Sequence, residues 1–564
     1  MKNRIIKNLA IATLMLSSLT SCQDFLNRPT EDSYTIDGFY KTDEQCFQSV
    51  NTIYNSPWYD FQRGFIKIGD VLAGNVYYGT DNVYQSFVLK SNDADIANAS
   101  ASLWSVNAYC NGIVENIDLK AGPNVTLATK NTVKGEALTW KAMAYFYLVR
   151  CFGAVPIIHN NAALISSNTY NNVYKAPESD VYTYIVKTLE KAIPMLPETN
   201  APGRIDRYSA YGLLAKVYLA KSGLDGDTIA HSRSQADLDK AAEYAAKVID
   251  ESGRKLMPVY SDIFRLANNF SEESLIAWHW TVGAQWTSQN TFQSDLALNN
   301  FSEFADTWGT WVGLTIDLEQ AFGENASSLT RVNTDARRKA TMMMQGDHYE
   351  YFWQDKGGFD YDWTKATAQG ITYGSPTGSN LVKNIVGDNY DHQQGSGMGM
   401  ARMATALSTH LLRLADVYLI YAEAVLGNNA STSNSKALKA LNDVRARSIK
   451  NYVPVTSFNF DDIFKERRLE LACEGDNWFD YVRLSYYDRA AAANRLAAQE
   501  RGYWNNLDGW YKGVLANNST VTIGTWKVNA SDVEFRIPFP DTDLAMNPHL
   551  SQDPVPFNFS TIGY

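Results

Sequence analysis

The chain has 564 residues, a formal net charge of −11 and 20% charged residues. That length allows a large buried core and more than one domain. No run rich in lysine and arginine offsets the acidic balance, so nucleic acid and anionic lipid surfaces are poor partner candidates.

The first element along the chain is a predicted lipoprotein signal. Residues 9–19 carry no charge and follow a basic start, and this stretch is too short to span a bilayer but fits the apolar part of a secretory signal. The segment Leu19-Thr20-Ser21-Cys22 resembles a lipobox, which predicts removal of residues 1–21 and acylation of Cys22. The alternative is an ordinary signal peptide with a cysteine near its cleavage site. Removal of the leader would lower the net charge to −14, because the leader holds three basic and no acidic residues.

The order of composition along the chain predicts five regions. They are the signal peptide (1–21), an N-terminal tether (22–42), a helical region with tetratricopeptide-like units (43–254), an irregular aromatic-rich region (255–401) and a C-terminal helical region (402–564). The cysteines after the anchor are Cys46, Cys110, Cys151 and Cys473. Their spacing fits no zinc pattern, and the sequence does not decide between disulfides and buried thiols.

A short signature recurs three times within long apolar runs that are typical of buried helices. It reads Ala, any residue, Phe or Val, Tyr, Leu, and it stands at residues 144–148, 215–219 and 415–419. A more amphipathic helix is predicted after each copy. The first two copies lie 71 residues apart, about two periods of a helix-pair repeat of about 34 residues. The pattern predicts a mainly α fold, a tetratricopeptide-like helix-pair array that is interrupted between the second and third copies.

The third copy carries few polar residues. Arg413, Asp416 and Glu423 are spaced by three and seven residues, which places them on one narrow stripe. The rest of that helix is therefore predicted to be buried.

The interruption combines turn-forming residues with many tryptophans and is predicted to hold short strands and loops. It contains Trp278, Trp280, Trp286, Trp308, Trp311, Trp353 and Trp363. Trp278 and Trp280 alternate as strand residues do, so at least one of them should be core. Two or more of the later tryptophans are predicted to line a ligand site, since loops on a rigid scaffold present side chains at a surface.

Several segments in one order make the chain resemble the SusD/RagB family of nutrient-binding outer-membrane lipoproteins. The most specific are "LRLADVYLIYAEAVLG", "ALKALNDVRARS", "IFKERRLELACEGDNWFDYVR" and "FRIPFPDTDLAMNPHLSQDP". One departure is Asn477, where the family commonly has arginine. The resemblance covers nearly the whole chain and implies a SusD-like helical fold with an irregular ligand-binding part. It also implies a surface lipoprotein, anchored in the outer membrane at Cys22, that is not an enzyme. Such a protein captures oligosaccharide or polysaccharide over a SusC-like TonB-dependent transporter.

Two stretches offer the chemistry that a sugar ring requires, which is an aromatic face for its CH groups and polar side chains for its hydroxyls. One is "AGNVYYGTDN" and the other is "QWTSQNTF…DTWGTWVG". Family practice places the ligand between loops of these two kinds. The predicted ligand-binding residues are therefore Tyr77, Tyr78, Trp286, Trp308 and Trp311, with Asn75, Asp81 and Trp353 behind them.

Other functions remain open from the sequence. A glycoside hydrolase needs paired carboxylates, but Glu466, Glu470 and Asp480 are interleaved with arginines, which indicates ion pairs. No HExxH, GxSxG or Walker motif is present, so no catalytic residue, metal site or cofactor is predicted. A structural calcium site lacks support, since no acidic segment has full EF-hand spacing. A peptide-binding subunit, or a lid that binds no nutrient, is the alternative to glycan binding.

Overall fold

The computed structural model describes residues 38–79, 83–224, 231–302, 307–327, 331, 334–507 and 521–563. The predictions for Cys22 and for Asp81 lie outside the described residues. The α-helices are α1 (Asp43–Asn51), α2 (Phe61–Ile66), α3 (Ala94–Lys120), α4 (Leu127–Phe152), α5 (Asn161–Ser166), α6 (Glu178–Ala192), α7 (Arg207–Lys221), α8 (Gln235–Glu251), α9 (Phe292–Leu296), α10 (Ile316–Ala321), α11 (Ala336–Thr341), α12 (Ala366–Gln369), α13 (Asn389–Ser396), α14 (Leu414–Leu426), α15 (Ser435–Ser448), α16 (Phe460–Leu471), α17 (Asn477–Ser485), α18 (Arg489–Ala498) and α19 (Asp541–Met546). The strands are β1 (Val76–Tyr78), β2 (Ser274–Trp278), β3 (Val312–Leu314), β4 (Met342–Met344), β5 (Asp347–Tyr349), β6 (Phe359–Tyr361), β7 (Ser379–Leu381), β8 (Thr409–Arg413), β9 (Tyr503–Asn505) and β10 (Thr522–Gly524).

The predicted mainly α fold with helix pairs is confirmed. The three signature copies lie in α4, α7 and α14, and they are followed by the amphipathic helices α6, α8 and α15. Helix α8 packs on α7 and also on α14, which packs on α15. The third pair therefore extends the array directly, although the whole interruption lies between α8 and α14 in sequence.

Local sequence signals set the ends of these helices. Asp206 caps α7, and its side chain accepts a hydrogen bond from the Ser209 N–H while the Ser209 hydroxyl faces the Asp206 backbone. Gly153 ends α4 with a φ of 77°, a conformation that disfavours a side chain. Every residue of α4 from Gly135 to Phe152 is buried, so this helix forms the centre of the array.

Short antiparallel pairs connect the irregular part of the chain, as the sequence predicts. The pairs are β1 with β3, β2 with β8, β4 with β7, β5 with β6, and β9 with β10. Strand β2, in the first part of the interruption, pairs with β8, which follows the interruption directly before α14. Trp278 and Trp280 are both buried, at 0% and 3% exposure, which confirms that at least one of them belongs to the core.

The polar stripe of α14 is itself buried, which the sequence did not predict. Asp416 and Glu423 are 1% and 0% exposed, and Arg413, just before the helix, is 1% exposed. Asp416 accepts hydrogen bonds from Lys216 and Arg467, each at 2.7 Å. The carboxylate of Glu423 is paired with Arg233 and Arg483. Buried charges of this kind are stable only because each one has a partner.

We call the group around Arg413 the Arg413 cluster. Its guanidinium contacts Glu273 at 2.6 Å, Glu474 at 2.6 Å and Glu470 at 3.2 Å. Arg447 also pairs with Glu273 and Glu470. Glu273 precedes β2, while Glu470 lies in the last turn of α16 and Glu474 follows that helix, so the cluster fixes the interruption to the C-terminal helices.

The carboxylates that the sequence offers as a possible hydrolytic pair are engaged in buried ion pairs of the same kind. Asp480 pairs with Arg467 and Arg483, each at 2.9 Å. Glu466 pairs with Arg337 and Arg445. The predicted ion pairing of this segment is present, with several of the arginines supplied by distant parts of the chain.

The four cysteines of the described region are buried free thiols. Burial raises the pKa of the Cys151 thiol to about 12, so this thiol stays protonated at neutral pH. Within the same described residues, no helix is both long and apolar enough to cross a membrane.

Candidate functional site

Three tryptophan side chains face solvent in the irregular part of the chain. Trp286 and Trp311 are each 53% exposed, and Trp308 is 37% exposed. Trp286 begins one short 3-10 turn and Trp311 ends another. Leaving large aromatic surfaces in water forgoes burial free energy, so a group of them marks a surface that is suited to contact a ligand or partner.

Trp308 is oriented by an ion pair. Its indole N–H donates to Asp295 Oδ1 at 2.9 Å, and Asp295 pairs with Arg63 at 3.3 Å. The carboxylate of Asp295 raises the pKa of Arg63. The Arg63 side chain is 57% exposed, so its guanidinium is available to hydrogen-bond acceptors beside the indole.

Two cavities meet at Trp308. We call the first the small cavity; it has a volume of 210 Å³ and includes Tyr59, Arg63, Asp295 and Trp308 in its lining. The second, the large cavity, has a volume of 860 Å³ and also includes Trp308 in its lining. Among the described residues, Trp308 is the one that both linings share.

Trp286 borders the same surface through Tyr59. The two rings lie edge to face, with their centroids 6.4 Å apart and an angle of 63° between them. Because Tyr59 lines the small cavity together with Trp308, Trp286 and Trp308 flank one stretch of surface.

Trp311 lies beside the two predicted tyrosines. Strand β1 pairs with β3, so that Tyr78 is opposite Val312, the residue after Trp311. Gly79 has a φ of 61°, and a Cβ atom there would lie 3.2 Å from the Trp311 Cβ. Tyr77 and Tyr78 are both half-buried, and the Lys67 ammonium lies 4.9 Å from the centre of the Tyr78 ring. The structure thus brings together the two stretches that the sequence singled out.

Asn75 is placed differently from its prediction. It is 0% exposed. Its amide nitrogen donates to Asp70 at 3.1 Å and to Asn477 at 2.7 Å, while its oxygen accepts from Arg468 at 2.9 Å. All of its hydrogen-bonding groups are used inside the protein, which does not support the prediction of Asn75 as a ligand-binding residue.

Trp353 is mostly buried rather than an open platform. Its exposure is 8%, its indole N–H donates to the Phe301 carbonyl at 2.9 Å, and its ring stacks on that of Phe301 at 5.7 Å. It still lines the large cavity. The structure therefore places Trp353 in the cavity floor, and its role as a ligand-binding residue stays a prediction.

Four residues at this surface were missed from the sequence. They are Tyr59, Arg63, Asp295 and Tyr503. Arg63 and Asp295 are 232 positions apart, and no local pattern joins them. Tyr503 is 44% exposed and lies close enough to Tyr77 to raise its pKa, although burial of Tyr77 contributes more.

The described residues contain no group of three or more His, Cys, Asp or Glu side chains that could hold a metal ion. The chemistry that the surface offers is that of aromatic faces next to amide, carboxylate and guanidinium groups. This combination suits a ligand with apolar faces and a hydroxylated rim.

The helical array is that of a SusD-like fold. The chain belongs to the SusD family, whose model matches residues 266–557. A second family model, described as "Starch-binding associating with outer membrane", matches residues 24–219. These matches confirm the resemblance that was read from the sequence.

Individual relatives agree with the family assignment. A SusD-like protein of Bacteroides ovatus is 32% identical over 571 residues, which cover 98% of each chain. SusD-like protein P2 of Formosa agariphila is 24% identical and covers 65% of this chain and 68% of its own length.

Solved structures are similar over most of the chain. A crystal structure with xylogluco-oligosaccharide has a TM-score of 0.77 and 31% identity, and covers 91% of this chain and 99% of its own. A laminarin-binding SusD-like protein has a TM-score of 0.64 and 22% identity, and covers 90% of this chain and 98% of its own. The second likeness concerns the fold alone.

Proposed function

We propose that this protein captures oligosaccharides or polysaccharides on the surface formed by Trp286, Trp308 and Trp311, with Tyr77 and Tyr78 at its edge. The observation that carries the proposal is the exposure of three indole rings, one of which, Trp308, donates to Asp295 beside Arg63. Indole faces cover the CH surface of a pyranose, and the charged groups bind its hydroxyls.

The structure of the relative with bound xylogluco-oligosaccharide supports a branched β-glucan as the first ligand to test. The experiment is calorimetric titration of the purified protein against a panel of plant, host and microbial polysaccharides and their oligosaccharides. We expect micromolar to millimolar affinity for one class. The absence of detectable binding to every glycan of the panel would contradict the proposal and favour a peptide ligand or a lid that binds no nutrient.

We further propose that the protein delivers its ligand to a SusC-like TonB-dependent transporter while an acylated Cys22 anchors it at the outer face of the outer membrane. The family description that links such chains to the outer membrane supports this. Replacement of Cys22 by alanine is expected to release the protein from the membrane fraction. Co-purification of the wild-type protein with a transporter of this class would test the partnership.

The proposed role is binding without catalysis. The carboxylates of residues 466–480 that could resemble a hydrolytic pair are engaged by arginines, and burial separates them from the aromatic surface. Incubation of purified protein with its glycan is expected to release no reducing ends.

A further inference from the structure

We infer that the large cavity is a subsite for a neutral sugar branch that projects from a glycan backbone lying on the exposed tryptophans. The inference rests on the proposed function and deepens it, because it names the kind of glycan that this surface selects.

The position of the large cavity carries the first part of the argument. Trp308 lines both cavities, and its N–H is directed to Asp295 on the side of the small one. A sugar stacked on Trp308 would therefore have a cavity on either side. Ligand sites generally measure about 300–1,000 Å³. The large cavity, at 860 Å³, falls in this range, whereas the small one, at 210 Å³, lies below it.

The lining of the large cavity carries the second part. Polar side chains surround it, including Asn300, Ser302, Thr307, Asp360, Lys365 and Gln369. Among the described residues, Trp308 is the one open aromatic face in this lining, because Trp353 lies in the floor with its ring stacked on Phe301. A pocket of this composition offers hydrogen bonds in several directions, which is what the hydroxyls of a short branch require.

The charges of the lining favour a neutral branch over an acidic one. Lys356 pairs with Asp388 at 2.8 Å, and Lys365 pairs with Asp360 at 2.8 Å. His348 also contacts Asp360 at 2.7 Å. Each lysine thus has a carboxylate beside it, so an added carboxylate would have to compete with one that is already in place.

The floor of the cavity is held in place by backbone hydrogen bonds. Trp353 adopts a left-handed conformation, with a φ of 54°, which is uncommon for a bulky residue. The Asp391 carboxylate accepts the N–H groups of Trp353 at 2.6 Å and of Gln354 at 3.0 Å. A subsite with a fixed floor loses little conformational entropy when it binds a ligand.

A matched pair of variants tests the inference. Ala368 is exposed and lines the large cavity, while Thr367 is its exposed neighbour outside the lining. Ala368→Trp should fill the cavity, and Thr367→Trp adds the same bulk elsewhere on the short helix α12. Their affinities are compared by calorimetry for three oligosaccharides with one backbone: unbranched, with neutral branches, and with uronic acid branches.

We expect Ala368→Trp to weaken binding of the neutral branched ligand at least tenfold and to change binding of the unbranched one less than twofold. Thr367→Trp should leave both affinities unchanged. Lys365→Met provides a second variant that adds no bulk. It should weaken binding of the neutral branched ligand two- to fivefold and leave binding of the unbranched one unchanged.

Each of the following results would overturn the inference. Equal losses of affinity in Ala368→Trp for branched and unbranched ligands, or no loss of affinity for the branched one, would mean that no branch enters the cavity. Tighter binding of the uronic acid branches would exclude a neutral subsite. If Trp308→Ala abolishes binding while Ala368→Trp has no effect, the subsite fails and the proposed function stands; if no glycan binds the wild-type protein, both fail.

Discussion

The helical array and the irregular region between α8 and α14 differ in where they place charged and aromatic side chains. The array and its C-terminal extension bury charged groups, such as Asp416, Arg467 and Glu470, at no more than 1% exposure. The irregular region leaves Trp286 and Trp311 half exposed. Hydrophobic burial alone would produce neither arrangement.

The difference separates two tasks. Paired buried charges fix how distant segments fit together, because each ion tolerates only the geometry that satisfies it. Exposed aromatic rings contribute little to folding and are free to contact a ligand. Variants in the two regions should therefore affect different measurements, and four predictions test this separation from the largest effect to the smallest.

The largest effect is expected for Arg413→Ala. The substitution leaves Glu273, Glu470 and Glu474 buried without their shared partner, which should lower the free energy of unfolding by about 3–5 kcal/mol. Urea denaturation measures the change. Lys439→Ala is the control, because its ion pair with Asp443 is on the surface and should contribute less than about 1 kcal/mol. Equal losses in the two variants would contradict the role of the cluster.

Acid should destabilise the protein through the same cluster. Burial alone would raise the pKa of Glu470, but Arg447, Arg413 and Arg337 lower it to about 2. Because this folded-state pKa lies below the ordinary value, the stabilisation is complete above about pH 4.5 and is lost as the pH falls towards 2. The loss from this residue should be roughly 3 kcal/mol. Unfolding measured at pH 5 and pH 3 should show about 2 kcal/mol of this loss, and Arg413→Ala should show a smaller difference between the two pH values.

Asn75→Ala distinguishes scaffold from binding surface. The alanine removes partners from the buried side chains of Asp70, Asn477 and Arg468. We expect a loss of about 1–3 kcal/mol in the free energy of unfolding and less than a twofold change in glycan affinity at a temperature where the variant is folded. A large loss of affinity with unchanged stability would return Asn75 to the binding site.

The smallest effect is expected for Trp286→Ala. Removing one stacking face should cost about 1–2 kcal/mol of binding free energy, which is roughly 5- to 30-fold in affinity. The melting temperature should change little, because this side chain is 53% exposed. Tyr170→Ala, at an exposed aromatic elsewhere (51%), is the control and should bind glycan normally.

Sequence patterns were sufficient to predict the helix pairs, because periodicity and caps are local. They also located the region that exposes tryptophan. The sequence patterns did not distinguish the exposed Trp308 from the buried Trp353. The burial of Trp353 depends on contacts with Phe301 and Asp391, which are distant in sequence. For the same reason they did not show that Asn75 is buried or that Arg63 and Asp295 meet beside Trp308.

The most direct test of the account is the affinity of the double variant Trp308→Ala, Trp311→Ala for the glycan that the wild-type protein binds. Calorimetry of purified protein without residues 1–22, with circular dichroism to verify folding, gives the answer. The account predicts that affinity falls at least about 30-fold while the helical spectrum and melting temperature are retained. Unchanged affinity in a folded double variant would contradict the claim that these exposed rings bind the glycan.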